Sequence, residues 1–282
     1  MMRFSWLRPM AWVGFGVAML WSGLGLAWAD KAYVPERGQL GKDVIWIPTP
    51  KGLIDKMLAA AKVTSSDRLF DLGAGDGIIA ITAAKEFGAQ SVGIEYNPQM
   101  ADYARRMVQE AGVSDKVRII TGDIFKEDFT SATVVTLYLL PDLNMRLRPT
   151  LLRMKPGTRV VSHAFTMGDW EPDENVVHES ARGYLWVVPA SVDGEWMLTG
   201  MEGGPARLNF QQALQKIGGT ITRGSSSMHL LGARLLGEEL NFQFMTPDRE
   251  VHRFSGKVSG PQITGMVTSA GGLITPVQAR KR

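Results

Sequence analysis

Apolar and polar positions follow two different patterns along this chain. Between residues 44 and 190, short apolar runs alternate with segments in which apolar residues recur every three or four positions, as in the run 132–139 and the helical pattern over 98–111. Alternation of strand-like and helix-like patterns indicates a parallel sheet with helices on both faces. We therefore predict an α/β domain over 44–190, built on a doubly wound, Rossmann-like sheet.

The pattern changes in the last third of the chain. From residue 191 to residue 282, short runs of alternating apolar residues are separated by glycines, and no helical pattern lies between them. Repeated short strands with turn residues between them are typical of all-β folds. We predict a small all-β domain over 191–282, which would either recognise a partner or cover the substrate opening.

The most informative stretch is a short apolar run that ends in alternating glycines. Residues 69–72 form the run, Gly73, Gly75 and Gly77 follow, and an amphipathic helix pattern comes next. Such glycines permit positive φ angles and let the backbone approach a ligand closely, while the start of the helix offers unpaired N–H groups. The arrangement predicts a ligand site, and a sharp turn without a ligand is the alternative.

A carboxylate closes the next predicted strand. The run 90–95 ends in Glu95, about 20 residues beyond the glycines, the spacing at which an acid binds the ribose in nucleotide-binding βαβ units. A dinucleotide site is disfavoured, because the position that packs the helix against the strand is Ile78 rather than a small residue. The Gly-Lys-Ser/Thr ending of a phosphate-binding loop is also missing. These features together predict an adenosine site.

Residues 71–77, Asp-Leu-Gly-Ala-Gly-Asp-Gly, together with Glu95, resemble motif I of the class I S-adenosylmethionine-dependent methyltransferases. The resemblance implies that S-adenosylmethionine is the cofactor, that Asp71 faces its methionine end and that Glu95 holds its ribose. It further implies cofactor contacts from the glycine turn and from the end of the third strand, where an acid meets the adenine amino group: Gly73, Ala74, Gly75, Asp123 and Ile124. For Asp123, an ordinary turn is the alternative interpretation.

The reaction is expected at the end of the fourth predicted strand, because ligands bind outside the carboxyl ends of the strands in such sheets. The sequence there, Tyr138-Leu139-Leu140-Pro141, lacks the Asn/Asp-Pro-Pro-aromatic motif of many amine methyltransferases. It resembles instead the ATP synthase c-subunit lysine methyltransferases and their bacterial relatives. This resemblance implies methyl transfer to a protein lysine, with Tyr138 and Pro141 at the reaction site.

Three further positions have open interpretations. Thr49 lies in an Ile-Pro-Thr-Pro sequence similar to the segment that precedes motif I in the same lysine methyltransferases. We predict that Thr49 caps the following helix, with Pro50 at the first helical position. The segment either folds over the cofactor, with Thr49 as a contact, or serves only as the helix entry. His163, at the end of the fifth strand, is either a proton acceptor or a hydrogen-bonded structural residue, and acids in the loop 169–173 either rim the substrate opening or are solvated.

The composition of the chain argues against several kinds of site and partner. The chain has 282 residues, of which 45% are hydrophobic and 21% charged, with a net charge of +3 and no cysteine. The absence of cysteine excludes disulfides, zinc thiolate sites and cysteine nucleophiles. His229 and His252 have no ligand partners at metal spacing, so no metal site is predicted. Basic residues cluster only at 280–282, so nucleic-acid binding is not expected.

The N-terminus has the features of a secretory signal peptide over residues 1–29. Two arginines lie in its first eight residues, an apolar run covers 11–26, and it ends in Ala27-Trp28-Ala29, the small-x-small form that signal peptidase cuts. We therefore expect a periplasmic or secreted protein with a polar linker over 30–43, and a retained N-terminal membrane anchor is the alternative. Export would separate the protein from the cytosolic source of S-adenosylmethionine.

Two functions from different classes follow. The first is a methyltransferase that acts on a protein lysine, with a protein substrate and an association with the membrane or cell envelope. The second is an exported, non-catalytic nucleoside-binding or envelope-interaction module on a methyltransferase fold. The presence of Asp71, Glu95 and Asp123 together favours the first. The sequence predicts no oligomeric state.

Overall fold

The computed structural model describes residues 33–282, which form two β-sheets and four helices. The predicted signal peptide over 1–29 and the first residues of the predicted linker lie outside the described residues. Within the described part of the chain, every helix is too short or too polar to span a lipid bilayer.

The first sheet holds the predicted Rossmann-like fold. Its strands are β1 (Arg68–Leu72), β2 (Gln90–Glu95), β3 (Val117–Thr121), β4 (Val134–Leu137), β5 (Arg159–His163), β6 (Glu174–His178) and β7 (Ala181–Val187), and its helices are α1 (Lys51–Ala60), α2 (Ile78–Phe87), α3 (Pro98–Glu110) and α4 (Pro141–Leu151). The strand order is β3-β2-β1-β4-β5-β7-β6, with β1 to β5 parallel and the β6–β7 hairpin antiparallel. The prediction of the α/β sheet is confirmed, but the sheet ends in a hairpin, and β6 is a strand that the sequence pattern did not predict.

Helices cover both faces of this sheet. On one face, α1 packs its buried side chains over β6 and β7, and α2 and α3 pack theirs over β1 to β3. On the other face, α4 packs beside the buried rings of Trp170 and Trp186. β4 lies in the middle of the sheet and all its residues are buried, as expected for a strand covered on both faces. Because β1 to β5 run parallel, their carboxyl ends lie at the same edge of the sheet.

Two helices begin at residues other than those predicted. Pro50 is the N-cap of α1 and has no side-chain hydrogen bond, while the hydroxyl of Thr49 bonds Nδ1 of His163 at 3.0 Å. The prediction that Thr49 caps α1 is therefore wrong, because a buried hydroxyl and a buried imidazole satisfy each other instead. The sequence predicts a helix over about 143–154, and α4 begins two residues earlier, at Pro141, since a proline suits the first helical turn.

The second sheet contains only antiparallel strands, which confirms the predicted all-β region. Its strands are β8 (Gly194–Thr199), β9 (Ala206–Ala213), β10 (Lys216–Arg223), β11 (Ser226–His229), β12 (Leu231–Leu236), β13 (Glu239–Met245), β14 (Val251–Ser259), β15 (Gln262–Thr268) and β16 (Ile274–Lys281). They follow the order β11-β10-β9-β8-β16-β15-β14-β13-β12, and the sheet curls until β10 contacts β12. Gly256 and Gly265, paired on β14 and β15, make room for the ring of Phe254, because a Cβ at either position would lie 2.6 or 2.7 Å from its Cζ.

The second sheet contacts the first at the edge opposite the carboxyl ends of the parallel strands. Gly237, between β12 and β13, lies against Gly157, which precedes β5, and its carbonyl accepts the N–H of Ala190 at 2.8 Å. Lys216 forms an ion pair with Glu171 at 2.7 Å. This contact leaves the carboxyl edge of the first sheet free of the second sheet.

Candidate active site

A cavity of about 240 Å³ opens at the edge where the parallel strands end. It is lined by the ends of β1, β2 and β4, by the turn after β3 and by most of the residues 39–49. All predicted site residues except one line it: Thr49, Asp71, Gly73, Ala74, Gly75, Glu95, Asp123, Ile124 and Tyr138. Pro141, the first residue of α4, does not line the cavity, although its neighbours Leu140 and Leu143 do. No residue of the second sheet contributes to the lining, so the cavity does not support the interpretation that this sheet covers the opening.

The turn between β1 and α2 has a conformation that glycine adopts most easily. Gly73, Gly75 and Gly77 have φ angles of +80°, +54° and +79°. A side chain is strained in this region of backbone angles. The N–H groups of Gly73 and Ala74 both donate to the carbonyl of Ile94, at 2.9 and 3.0 Å. These bonds hold the turn against the end of β2.

Two apolar side chains lie on this turn. A Cβ at Gly75 would lie 2.6 Å from Nε1 of Trp46, and a Cβ at Gly73 would lie 2.9 Å from Cδ2 of Leu139. Trp46 belongs to a short hairpin in which its N–H donates to the carbonyl of Gln39 and its carbonyl accepts the N–H of Gly38, both at 2.9 Å. The hairpin therefore covers the glycine turn, which leaves a cavity smaller than the roughly 300–1,000 Å³ of most small-molecule sites.

Glu95 points at the glycine turn. Its Oε2 accepts the N–H of Gly75 at 2.9 Å and its Oε1 accepts the N–H of Asn97 at 2.8 Å. Burial raises the pKa of this carboxyl, and the backbone N–H groups partly oppose that effect. The side chain is thus held at the border of the cavity, where both oxygens retain lone pairs for ligand hydroxyls.

Asp71 carries the most perturbed carboxyl of the site. It is buried, its Oδ1 accepts the hydroxyl of Thr136 at 2.7 Å, and its Oδ2 has no hydrogen-bond partner. Burial raises the pKa of Asp71 to about 7, and the nearby acids Asp76 and Glu95 add to the shift. A buried oxygen that lines a cavity without a partner fits a cationic group of a ligand, such as the ammonium of a methionine moiety.

Asp123 is exposed to the cavity and already has two partners. Its Oδ1 accepts the N–H of Phe125 at 3.0 Å and its Oδ2 lies 3.1 Å from Nζ of Lys42. These contacts lower the pKa of the carboxyl, so Asp123 is ionised near neutral pH. Ile124 supplies an apolar side chain beside it. The pair could bind the amino group and one face of a planar base.

Tyr138 lines the mouth of the cavity and stacks on His163. The two ring centroids are 3.8 Å apart, and the ring of Phe165 lies 6.4 Å from that of Tyr138. Burial lowers the pKa of His163 to about 4, so this ring is neutral at physiological pH. His163 does not line the cavity, and its Nδ1 is bonded to Thr49. The geometry therefore favours the structural interpretation of His163.

Residues 169–173, in the later part of the loop after β5, do not line the cavity. Asp169 forms an ion pair with Arg148, Trp170 is fully buried, and the side chain of Asp173 accepts the N–H of Val187. The interpretation that these acids rim the substrate opening is therefore not supported.

The cavity residues that sequence reasoning missed include Lys42, Trp46, Tyr96 and Phe165. Lys42 lies in the predicted polar linker. Tyr96 directly follows Glu95, and Phe165 comes two residues after His163, so their positions just beyond strand ends were the available signal.

Known proteins resemble the chain over its first sheet. Residues 71–174 match the family model of the ANTKMT methyltransferase domain. The chain is 40% identical over 163 residues to a protein-lysine N-methyltransferase of Saccharolobus islandicus (strain REY15A), across 56% of this chain and 97% of that protein. It is 36% identical over 106 residues to the ATP synthase c-subunit lysine N-methyltransferase of Mus musculus, across 37% of this chain and 42% of that relative, less than half of its length.

A solved structure also matches. The crystal structure described as an RNA methyltransferase from Salinibacter ruber in complex with S-adenosyl-L-homocysteine aligns with a TM-score of 0.51 and 50% sequence identity. The match covers 52% of this chain and 96% of that chain.

Proposed function

The chain belongs to the family of S-adenosylmethionine-dependent methyltransferases that includes these protein-lysine enzymes, and we propose that its own methyl acceptor is the side-chain amine of a protein lysine. Its cofactor is S-adenosylmethionine, and the protein is an enzyme. The choice of lysine is supported by the relatives' activities and by the chemistry of the cavity mouth.

The observation that carries the proposal is the apolar wall at the end of β4. Tyr138, Leu139 and Leu140 form this wall, and Phe165 lies beside Tyr138. Burial against such a wall disfavours the charged form of an amine and so lowers its pKa. A lysine held there would lose its proton more easily, and the neutral amine carries the lone pair that attacks a methyl group.

The residues that would hold the cofactor fit its groups. Asp71 faces the cavity with a free oxygen for the ammonium, the glycine turn approaches without side chains, and Glu95 lies beside the turn for the ribose hydroxyls. Asp123 and Ile124 would bind the base. Bound S-adenosylmethionine supplies a methyl group on a positively charged sulfur. The protein then has to orient the acceptor in line with that bond, and orientation of this kind can supply about 7–11 kcal/mol of rate acceleration.

RNA is a second candidate acceptor because the solved relative with 50% identity is described as an RNA methyltransferase. The charge of the chain argues against RNA. The net charge is +3 over 282 residues, with one short basic cluster, whereas RNA-binding surfaces are usually strongly basic.

One experiment separates these functions. The full chain is incubated with labelled S-adenosylmethionine and either total cell protein treated with ribonuclease or total RNA freed of protein, and the products are hydrolysed and analysed by mass spectrometry. Methyllysine in the protein sample is the expected result. Methylated nucleosides in the RNA sample alone would overturn the lysine proposal, and cofactor binding without transfer to either sample would favour the non-catalytic module. The Tyr138→Ala variant serves as the control for contaminating activity.

We also propose export to the periplasm or cell exterior, with the membrane anchor as the alternative. The support is the arginine-flanked apolar run before Ala27-Trp28-Ala29. Fusion of residues 1–38 to a reporter that is active only outside the cytoplasm tests it, and a reporter that stays inactive would contradict export.

A further inference from the structure

The side chain of Lys42 lies on two cavity surfaces that suit a planar base. Its Nζ is 3.1 Å from Oδ2 of Asp123 and 4.3 Å from the ring centroid of Tyr96. Both residues line the cavity, beside Glu95 and Ile124. A carboxylate accepts hydrogen bonds from an exocyclic amine, and an aromatic ring stacks on any base, so these are the groups that an adenine would use.

Oδ2 is the oxygen of Asp123 that a ligand amine would reach. The other oxygen, Oδ1, accepts the N–H of Phe125 at 3.0 Å, a bond that fixes the turn after β3. The ring of Tyr96 is half exposed, and the ammonium of Lys42 lies over one face of it. One cation therefore covers both the acceptor atom and the stacking surface.

The segment that carries Lys42 is bonded mainly to itself. The N–H of Gly41 donates to the carbonyl of Val44 at 2.8 Å, and Trp46 pairs with Gly38 and Gln39. The Lys42 side chain is 38% exposed. It can leave Asp123 for solvent by rotation of its own bonds, without the loss of any backbone hydrogen bond.

We propose that Lys42 is an internal competitor of the cofactor's base: its ammonium and the adenine use the same carboxylate oxygen and the same aromatic face, and they exclude each other. Binding of the cofactor displaces Lys42 from Asp123 and Tyr96. The competition weakens cofactor binding. The inference rests on the placement of adenine at Asp123, but not on the identity of the methyl acceptor.

Calorimetric titration of the full chain with S-adenosylhomocysteine tests the proposal. An exposed ion pair is weak, so Lys42→Ala and Lys42→Met should each bind this ligand about two- to fivefold more tightly than the wild type. Neutral adenosine, as a second probe, should show the same direction of change, because the competition concerns the base and not the charge of the ligand. The difference should shrink at high salt, where exposed ion pairs are screened.

Lys126→Met is the matched control. Lys126 acts on Asp123 through its charge but makes no hydrogen bond to that carboxylate, so its removal changes the net charge equally and opens no binding surface. If Lys126→Met and Lys42→Met increase the affinity for S-adenosylhomocysteine equally, the effect comes from the change in net charge alone, and the proposal is overturned. Unchanged or weaker binding in both Lys42 variants would overturn it as well, since Lys42 would then support the base rather than compete with it. Neither result depends on methyl transfer, so both are distinct from a failure of the lysine-acceptor proposal.

Discussion

The hydroxyl of Thr136 donates a 2.7 Å hydrogen bond to Oδ1 of Asp71, and the second oxygen of the same buried carboxylate has no partner. Thr136 on β4 is thus the neighbour that orients Asp71 on β1, with Oδ2 left for a ligand. Its single hydrogen bond does not compensate for burial, which raises the pKa of Asp71 to about 7. The site therefore contains a carboxylate that lowers the stability of the folded protein.

Replacement of Asp71 by asparagine should raise the stability of the fold at high pH and weaken the binding of S-adenosylmethionine. The folded-state pKa of about 7 lies above the ordinary value of 3.8, so the unfolded chain loses this proton first as pH rises, and the free energy of unfolding falls between these two pH values. Asp71→Asn should therefore gain stability relative to the wild type at pH values above 7, with little gain in acid. Its affinity for S-adenosylmethionine should fall about ten- to hundredfold through loss of a charge-assisted bond. Chemical denaturation at both pH values and calorimetric titration check this, and a stability difference that does not vary with pH would contradict it.

Gly75→Ala should weaken cofactor binding more than tenfold through sterics at the turn. The new Cβ would lie 2.6 Å from the indole of Trp46 and would project from backbone with φ of +54°. Gly112→Ala is the matched control, because Gly112 has φ of +70° but open space around the missing Cβ. Both variants should lose about 1–2 kcal/mol of stability, and only Gly75→Ala should lose more than tenfold in affinity for S-adenosylmethionine. Equal affinities for the two variants would place the cofactor away from the turn.

Glu95→Gln tests the ribose contact while it keeps the size of the side chain. Glutamine retains one acceptor oxygen for the N–H of Gly75 or that of Asn97, but the charge is lost. The affinity for S-adenosylmethionine should fall about tenfold or more, since hydrogen bonds to charged groups contribute about 1.5–3 kcal/mol. Glu110→Gln, at the exposed end of α3, serves as the control. A titration in which both variants bind equally well would falsify the assignment of Glu95.

His163→Asn should make the free energy of unfolding less dependent on pH in the acid range. The folded-state pKa of His163 is about 4, below the ordinary value of 6.5, so the unfolded chain takes up this proton first as pH falls, and the free energy of unfolding decreases between pH 6.5 and 4. An asparagine amide can still bond the hydroxyl of Thr49. Over that interval, the free energy of unfolding should fall by about 1–2 kcal/mol less in the variant than in the wild type. Thermal melts across the interval measure the effect; His229→Asn, an exposed residue, should change nothing.

Substitutions of Tyr138 should change the rate and leave the cofactor bound. The ring stacks on His163 and forms part of the mouth, so Tyr138→Ala removes the wall against which the acceptor is positioned. We expect kcat/KM for the acceptor to fall about 100-fold, the loss typical of a misplaced reactant, with an unchanged Kd for S-adenosylmethionine. Tyr138→Phe keeps the ring and should stay within about threefold of the wild type. A large loss in Tyr138→Phe would instead assign a chemical role to the hydroxyl.

The glycine turn and its acids were predictable because their signals are local. A strand pattern, alternate glycines and a helix pattern within residues 69–87 determine the backbone of the turn, and Glu95 follows from the end of the next strand. Tyr138 was predictable for the same reason, since it comes directly after β4. Pro141 lies in the same short sequence but does not line the cavity, although its neighbours Leu140 and Leu143 do.

The contacts of the segment 39–49, which lies over the site, were not predictable from the sequence. Lys42 meets Asp123 across 81 positions of sequence, and Thr49 meets His163 across 114 positions. The sequence around Thr49 has the pattern of a helix cap, yet the hydroxyl bonds a buried imidazole that only the folded sheet brings near. The pairing of β16 with β8 is likewise a long-range choice among strands of similar pattern.

By itself, the sequence determined the alternation of strands and helices from β1 to β5, the glycine turn and the acid beside it, because backbone angles and apolar periodicity are properties of neighbouring residues. Only the tertiary structure decided that Trp46 lies on Gly75, that Lys42 reaches Asp123 and that Asp71 is buried with a free oxygen. Those relationships depend on which surfaces are close together after the chain has folded, and burial and electrostatic shifts arise only from that proximity.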